Sequence, residues 1–316
     1  MKDKPLVSIL INNHNYAHFL PDAIDSALKQ TYPHTEVIVV DDGSTDNSRE
    51  IIASYGDKII PLLKPNGGQV SAFNAGFAAS RGDIICFLDA DDLYLPEKVA
   101  EVVNALGDRE DLGWCFDRLK FVDVNLKDIT GNKSIPENYA GTVQEYDLRE
   151  KTRQGKPGKN FPYSSTSGIS ARRSLLQQIL PIPEKDQSTL LNETFLIFPS
   201  LFLSKGVVVY KELGFYRIHG NNANATTKDK LRPARISILH AYWIREKFPS
   251  LYNYTNCLMG AGIGVCQANG GIEAQYQPLV QSYLSSVTLP EKLEIYVRAG
   301  LNFVKSKVLD TTSRSA

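Results

Sequence analysis

The chain has 316 residues, 42% hydrophobic and 22% charged, enough to bury one large core and to add a smaller domain. Lys plus Arg and Asp plus Glu number 35 each, so no global field recruits nucleic acid and any anion binding must be local. Four scattered cysteines, Cys86, Cys115, Cys257 and Cys266, argue against a disulfide framework or a zinc site and point to a reducing cytoplasm.

Met1-Lys2-Asp3-Lys4-Pro5 leads straight into an apolar strand over residues 6–11, so no signal peptide is expected, and no apolar run approaches the length of a membrane span. Leu20, Ile24, Ala27 and Leu28 then share one helical face, and residues 37–40 read as a second buried strand. Ser44, Thr45, Asp46 and Asn47 supply capping side chains for a helix containing Ile51 and Ile52. A third strand over 59–63 stops at Lys64-Pro65-Asn66-Gly67-Gly68. The next helix groups Val70, Phe73 and Phe77, residues 84–88 form a fourth strand, and Val99, Val102, Val103 and Leu106 mark another amphipathic helix. This alternation predicts an α/β fold, a mostly parallel sheet with right-handed crossovers and flanking helices. Each strand ends in polar residues, and in such sheets the carboxyl ends converge on a binding crevice.

Residues 113–129 suit a hairpin-like strand. Residues 149–168 read as a loop carrying Arg149, Lys151, Arg153, Lys156 and Lys159, either closing over an anionic ligand or simply solvated. Beyond about Thr226 the pattern turns helical, so the expected division is an α/β domain over 1–225 and a helical extension over 226–316. In that extension Leu293, Val297, Leu301, Val304 and Val308 form a stripe opposite Lys292, Arg298, Lys305 and Lys307. The stripe is expected to pack on the main domain or on a second subunit as a homodimer; peripheral contact with a membrane surface is the alternative.

The chemistry concentrates where Ile84-Ile85-Cys86-Phe87-Leu88 runs into Asp89-Ala90-Asp91-Asp92. Clustered acids behind a buried strand call for a positive partner, and a hard divalent cation carrying substrate phosphates is the commonest one; capping of the following helix is the bland alternative. A dinucleotide site is excluded because Asn12-Asn13-His14-Asn15 follows the first strand where Gly-x-Gly-x-x-Gly would be required, and no P-loop is present.

Five segments, taken in order, resemble glycosyltransferase family 2 and its GT-A fold: Val7 to Asn15, Val39-Val40-Asp41-Asp42-Gly43-Ser44-Thr45-Asp46, Asn74-Ala75-Gly76, Arg81-Gly82-Asp83 and Phe87 to Asp92. The resemblance is weaker over 163–224. It implies a metal-dependent, inverting transfer of sugar from a nucleotide-sugar donor to a hydroxyl acceptor on a polysaccharide, lipid-linked glycan or protein. Asn12 and His14 would line the base pocket, Asp42 would accept from the base, and Asn74 would lie near the donor. Asp89 would reach the ribose, Asp91 would hold Mg²⁺ or Mn²⁺, and Asp92 would support its neighbours. Glu193 would be the base that deprotonates the acceptor, with Asp186 second in line. His219, in Tyr216-Arg217-Ile218-His219-Gly220, would approach the metal or the diphosphate, with Arg217 anchoring that segment through a carboxylate. Other classes are a sugar nucleotidyltransferase, which would want a glycine-rich basic signature near the first strand, and a non-catalytic nucleotide-sugar-binding module.

Overall fold

Apolar runs too short for helices and bounded by turn residues become the strands of one mixed sheet in the computed structural model, which describes residues 4–131, 135–156, 158, 161–184, 192–220, 222 and 229–312. In chain order its elements begin β1 (Val7–Asn13), α1 (Leu20–Leu28), β2 (Thr35–Asp42), α2 (Ser48–Ser54), β3 (Ile60–Lys64), α3 (Gln69–Ala79) and β4 (Ile84–Asp89). There follow β5 (Leu93–Tyr94), α4 (Lys98–Leu106), β6 (Leu112–Val122), β7 (Val143–Tyr146), α5 (Arg149–Arg153), β8 (Ile169–Arg172), α6 (Arg173–Ile179), α7 (Thr194–Leu203) and β9 (Lys205–Arg217). The helices α8 (Arg232–Lys247), α9 (Tyr252–Ala268), α10 (Gln277–Ser286) and α11 (Leu289–Thr312) complete the described chain.

Chain contacts divide it into two compact units, one of Met1–Leu148 with Asn160–Ala225 and one of Arg149–Lys159 with Thr226–Ala316. The first unit holds the sheet, in the order β3-β2-β1-β4-β8-β6-β9-β5, with β7 beside β9. The strands β3, β2, β1 and β4 are mutually parallel, and β8 runs antiparallel between β4 and β6. Strands buried on both faces explain the near-continuous apolar runs of β1 and β4. The register sets Asn12 beside Asp89 and Asn13 beside Asp41, which brings the polar strand ends together. The hairpin-like segment turns at Asp123–Lys127 and returns, with Ile129 N donating to Phe121 O at 2.9 Å.

In the second unit α8, α9, α10 and α11 enclose a core that includes Ile238, Met259, Ile263, Tyr283 and Ile295. One expectation changes here. Residues 149–153 form the short helix α5 instead of loop, because Thr152 is fully buried and Asn253 Nδ2 donates to the Arg153 carbonyl at 3.2 Å. The α11 stripe does not pack within its unit: Leu293 and Leu301 are each 67% exposed. The packed face carries Ile295 and Ala299, because α9 meets α11 at Gly260 and Gly264, where the two backbones approach closely. A Cβ on Gly260 would stand 2.9 Å from the Ile295 carbonyl oxygen. Among the described residues no helix is long and apolar enough to cross a membrane.

His240 is buried on α8, and burial pushes its imidazole down to about 3. The folded state therefore holds this ring neutral while the unfolded chain protonates it below about 6.5, so stability from this group is full above 6.5 and falls with pH toward 3. Urea unfolding should show an acid loss of up to about 1.4 kcal/mol per pH unit from His240 in that window. The difference between wild type and His240→Leu, measured at neutral pH and near pH 5, should isolate that slope; parallel profiles would remove His240 as its source.

Candidate functional site

Parallel strands end in backbone groups and short polar side chains, and here those ends meet over β4. Asp89, Asp91 and Asp92 offer carboxylate oxygens that all lie within 4.8 Å of one another. Burial, then the charges of Asp91 and Glu193, push the Asp89 carboxyl up to about 8. Burial, then Asp91 and Asp89, push Asp92 well above the usual carboxylate range. Asp89 and Asp92 are thus electrostatically undercompensated by their own surroundings, and three sets of oxygen donors so arranged fit a hard divalent cation.

Protein donors satisfy part of that charge. Asp92 accepts from Ser167 Oγ at 2.6 Å and from the Arg217 backbone N–H at 2.9 Å. Asp89 accepts from Gln69 Nε2 at 3.2 Å, and its own N–H donates to Ser167 Oγ at 3.1 Å. Asp91 Oδ2 faces His219 Nε2 at 3.0 Å and Asn222 Nδ2 at 3.4 Å. The end of β9 is fastened to the acids at both ends of this segment, since Asn222 also donates to the Arg217 carbonyl and accepts from His219 N–H. Arg217 in turn pairs with Asp22 at 2.8 Å and lies 4.6 Å over the Phe19 ring, the carboxylate anchoring expected for it. Phe19 also packs 4.8 Å from the His219 ring, and Tyr16 meets His219 edge-on at 5.6 Å. The residues His14, Asn15, Tyr16, His18, Phe19, His219 and Gly220 line a cleft of about 520 Å³.

Behind the acids stands a pair that sequence reasoning did not single out. Lys98 and Asp117 are both fully buried and form an ion pair. Lys98 Nζ also donates to the Ser167 carbonyl at 3.3 Å, so the pair supports the turn whose hydroxyl lies between Asp89 and Asp92.

The other expected residues divide by what already occupies them. Asn12 is buried, and neither its amide nitrogen nor its oxygen has a hydrogen-bond partner in the described structure, an unusual condition for a native side chain. His14 Nδ1 lies 2.9 Å from the Asp42 carbonyl, and Asn66 Nδ2 sits 3.1 Å from the same nitrogen. The Asp42 carboxylate accepts from Lys64 Nζ at 2.6 Å, Gly67 N–H at 3.0 Å and Gly68 N–H at 2.7 Å. It therefore fixes the turn after β3, where Gly68 needs its φ of 84°. Asn74 exchanges two hydrogen bonds with the Ile182 backbone and donates to Glu184 at 2.7 Å, so its amide holds the 182–184 segment. Glu193 stands at the start of α7 without capping it; Asn192 does so through Thr194 N–H at 3.2 Å and Oγ1 at 2.6 Å. The Glu193 charge reaches Asp89 and Tyr216, which puts it on the side of the acids. Asp186 lies outside the described residues.

An acid-ended strand in the middle of a mixed sheet, with a histidine segment folded back on it, defines a GT-A-like α/β protein. The sequence model for glycosyl transferase family 2 matches residues 8–180. An uncharacterized glycosyltransferase of Nostoc sp. is 34% identical over 239 residues, 72% of this chain and 70% of that protein. One of Rickettsia typhi is 49% identical over 102 residues, 32% of each. Among solved structures, S. aureus TarS 1-349 in complex with UDP-GlcNAc superposes with a TM-score of 0.62 at 16% identity, covering 98% of this chain and 92% of that one. The chain belongs to glycosyltransferase family 2, and it is a glycosyltransferase.

Removing one member of a buried ion pair leaves an uncompensated charge and costs about 3–5 kcal/mol. Lys98→Met should lose stability on that scale in urea unfolding, and Lys98→Met with Asp117→Leu should recover most of it. Equal destabilisation of the double variant would show that packing, and not charge pairing, is what Lys98 contributes.

Proposed function

We propose that this chain transfers a sugar, with inversion, from a nucleotide-sugar donor to a hydroxyl on a glycan, lipid-linked or protein acceptor, with Mg²⁺ or Mn²⁺ as its cofactor. The observation that carries this is the trio Asp89, Asp91 and Asp92, gathered within 4.8 Å beside the unsatisfied amide of Asn12. The bound UDP-GlcNAc of TarS supports a nucleotide-sugar donor for the shared fold.

In this reading Asn12 meets the base through its free donor and acceptor, and His14 offers a flat imidazole face beside it. Asp42 and Asn74 act on the donor pocket, Asp42 from the strand end whose carboxylate also shapes the Gly67-Gly68 turn, and Asn74 from the helix that follows it. Asp89 receives the ribose, and Asp91 with His219 would hold the metal. When bound, a divalent cation supplies Lewis-acid charge against the negative charge that builds on a departing nucleoside diphosphate. Glu193 accepts the proton of the acceptor hydroxyl as its oxygen attacks the anomeric carbon and the bond to the diphosphate breaks. Attack opposite the leaving group inverts the centre. Tyr16 and Phe19 hold the His219 ring in place. A cytoplasmic setting belongs to the same reading.

A panel of nucleotide sugars, each with and without Mn²⁺ or Mg²⁺, tests it by thermal shift and by donor turnover. One donor should stabilise the protein in a metal-dependent way, and Asp91→Ala should abolish that response. Glu193→Gln should lower kcat by about 10²–10⁴-fold while donor binding stays unchanged. Equal response to every donor with and without metal, unaltered in Asp91→Ala, would sink the proposal; full turnover in Glu193→Gln would move the base elsewhere.

A further inference from the structure

Helix α11 completes its own unit with one face and leaves a second face apolar and open. Ile295 and Ala299 are buried against α9, whereas Leu289, Leu293, Tyr296, Val297, Leu301 and Val304 are between 53% and 80% exposed. At 100° per residue these six span an arc of about 140° on the helix. Among the described side chains the unpaired charges on or beside this face are all positive. The acids Glu291 and Glu294 are taken by Arg245 and Arg298, and Lys292, Lys305 and Lys307 carry no ion pair among the described residues.

We propose that this face seats on an anionic lipid surface with the helix axis lying in the plane of the membrane. The apolar side chains enter the acyl boundary and the three lysines meet lipid phosphates, the arrangement that binds amphipathic helices at an interface. Charge argues against a second copy as the occupant. An antiparallel pairing of two α11 stripes centred on their midpoint sets Lys292 of one copy opposite the apolar Leu301 of the other, and a parallel pairing sets each lysine against itself. Among the described side chains neither brings a free carboxylate to meet them, and the like charges of the parallel pairing are destabilising. The arc is also wider than the narrow seam of a two-helix coil. This proposal is independent of the donor and of the metal.

Flotation of the full chain with vesicles of phosphatidylcholine alone, or of phosphatidylcholine mixed with phosphatidylglycerol, tests it. Binding is expected only to the anionic vesicles, and it should weaken as salt is raised. Lys305→Gln and Lys307→Gln should each lower the partition coefficient about fivefold. Leu293→Asp with Leu301→Asp should abolish binding while the thermal melt and the turnover of soluble substrates stay unchanged, since both positions are exposed. No flotation with either vesicle overturns the proposal, as does binding that ignores these substitutions. A dimer in sedimentation equilibrium that Leu301→Asp disperses, without vesicle binding, would assign the face to a second copy instead.

Discussion

Three carboxylates at the end of one buried strand are the constraint around which the first unit is arranged. Charge of one sign gathered in a space of 4.8 Å is unfavourable wherever water is excluded, and the raised Asp89 and Asp92 carboxyls express that cost. Folding meets part of it with fixed dipoles: the Ser167 hydroxyl, the Gln69 amide and the Arg217 N–H. These come from three separate elements, so the acids tie together the start of α3, the turn before β8 and the end of β9. In the proposed reading, the residual charge is what a divalent cation would offset.

Each of these donors has its own support. Ser167 sits on a turn whose carbonyl accepts from the buried Lys98, which is itself matched by Asp117 on β6. A buried pair of this kind adds little net stability compared with apolar residues of the same volume. Its value here is positional, because it places a hydroxyl that donates to the Asp92 carboxylate and accepts from the Asp89 backbone N–H. On the other side, Arg217 reaches Asp22 on α1 while its guanidinium covers Phe19, and Phe19 packs on His219. The start of α1 therefore governs where the imidazole can stand relative to Asp91.

The strand ends, the acid cluster and the histidine segment were legible in the sequence because each is local: an apolar run, a short polar motif, a turn. Period and punctuation suffice for such features. What was not legible depends on distant partners. Nothing in Lys98 distinguishes it from a solvated helix residue until Asp117 arrives across the sheet. Gln69 carried no signal, since its partner lies 20 residues away. The α11 stripe shows the converse. Its period marked an apolar face correctly, but two glycines on α9 favour close backbone approach and select the smaller face of Ile295 and Ala299 for packing. Amphipathicity reports which side is apolar; shape decides which side is buried.

The polar groups at the strand ends fall into two kinds. Asp41 and Asp42 are saturated, the first by Asn13, Ser44 and Arg49 and the second by Lys64 and two glycine N–H groups. A saturated carboxylate fixes backbone, and a ligand can use it only by sharing or displacing a donor already there. Asn12 is different, because its amide is buried with both functions unused, a state that costs about 1–3 kcal/mol for each group left unpaired. In the proposed reading the base of the donor completes it. The unbonded amide of Asn12 is therefore a stronger pointer to a ligand than the better-connected Asp42, even though both lie at the ends of adjacent parallel strands.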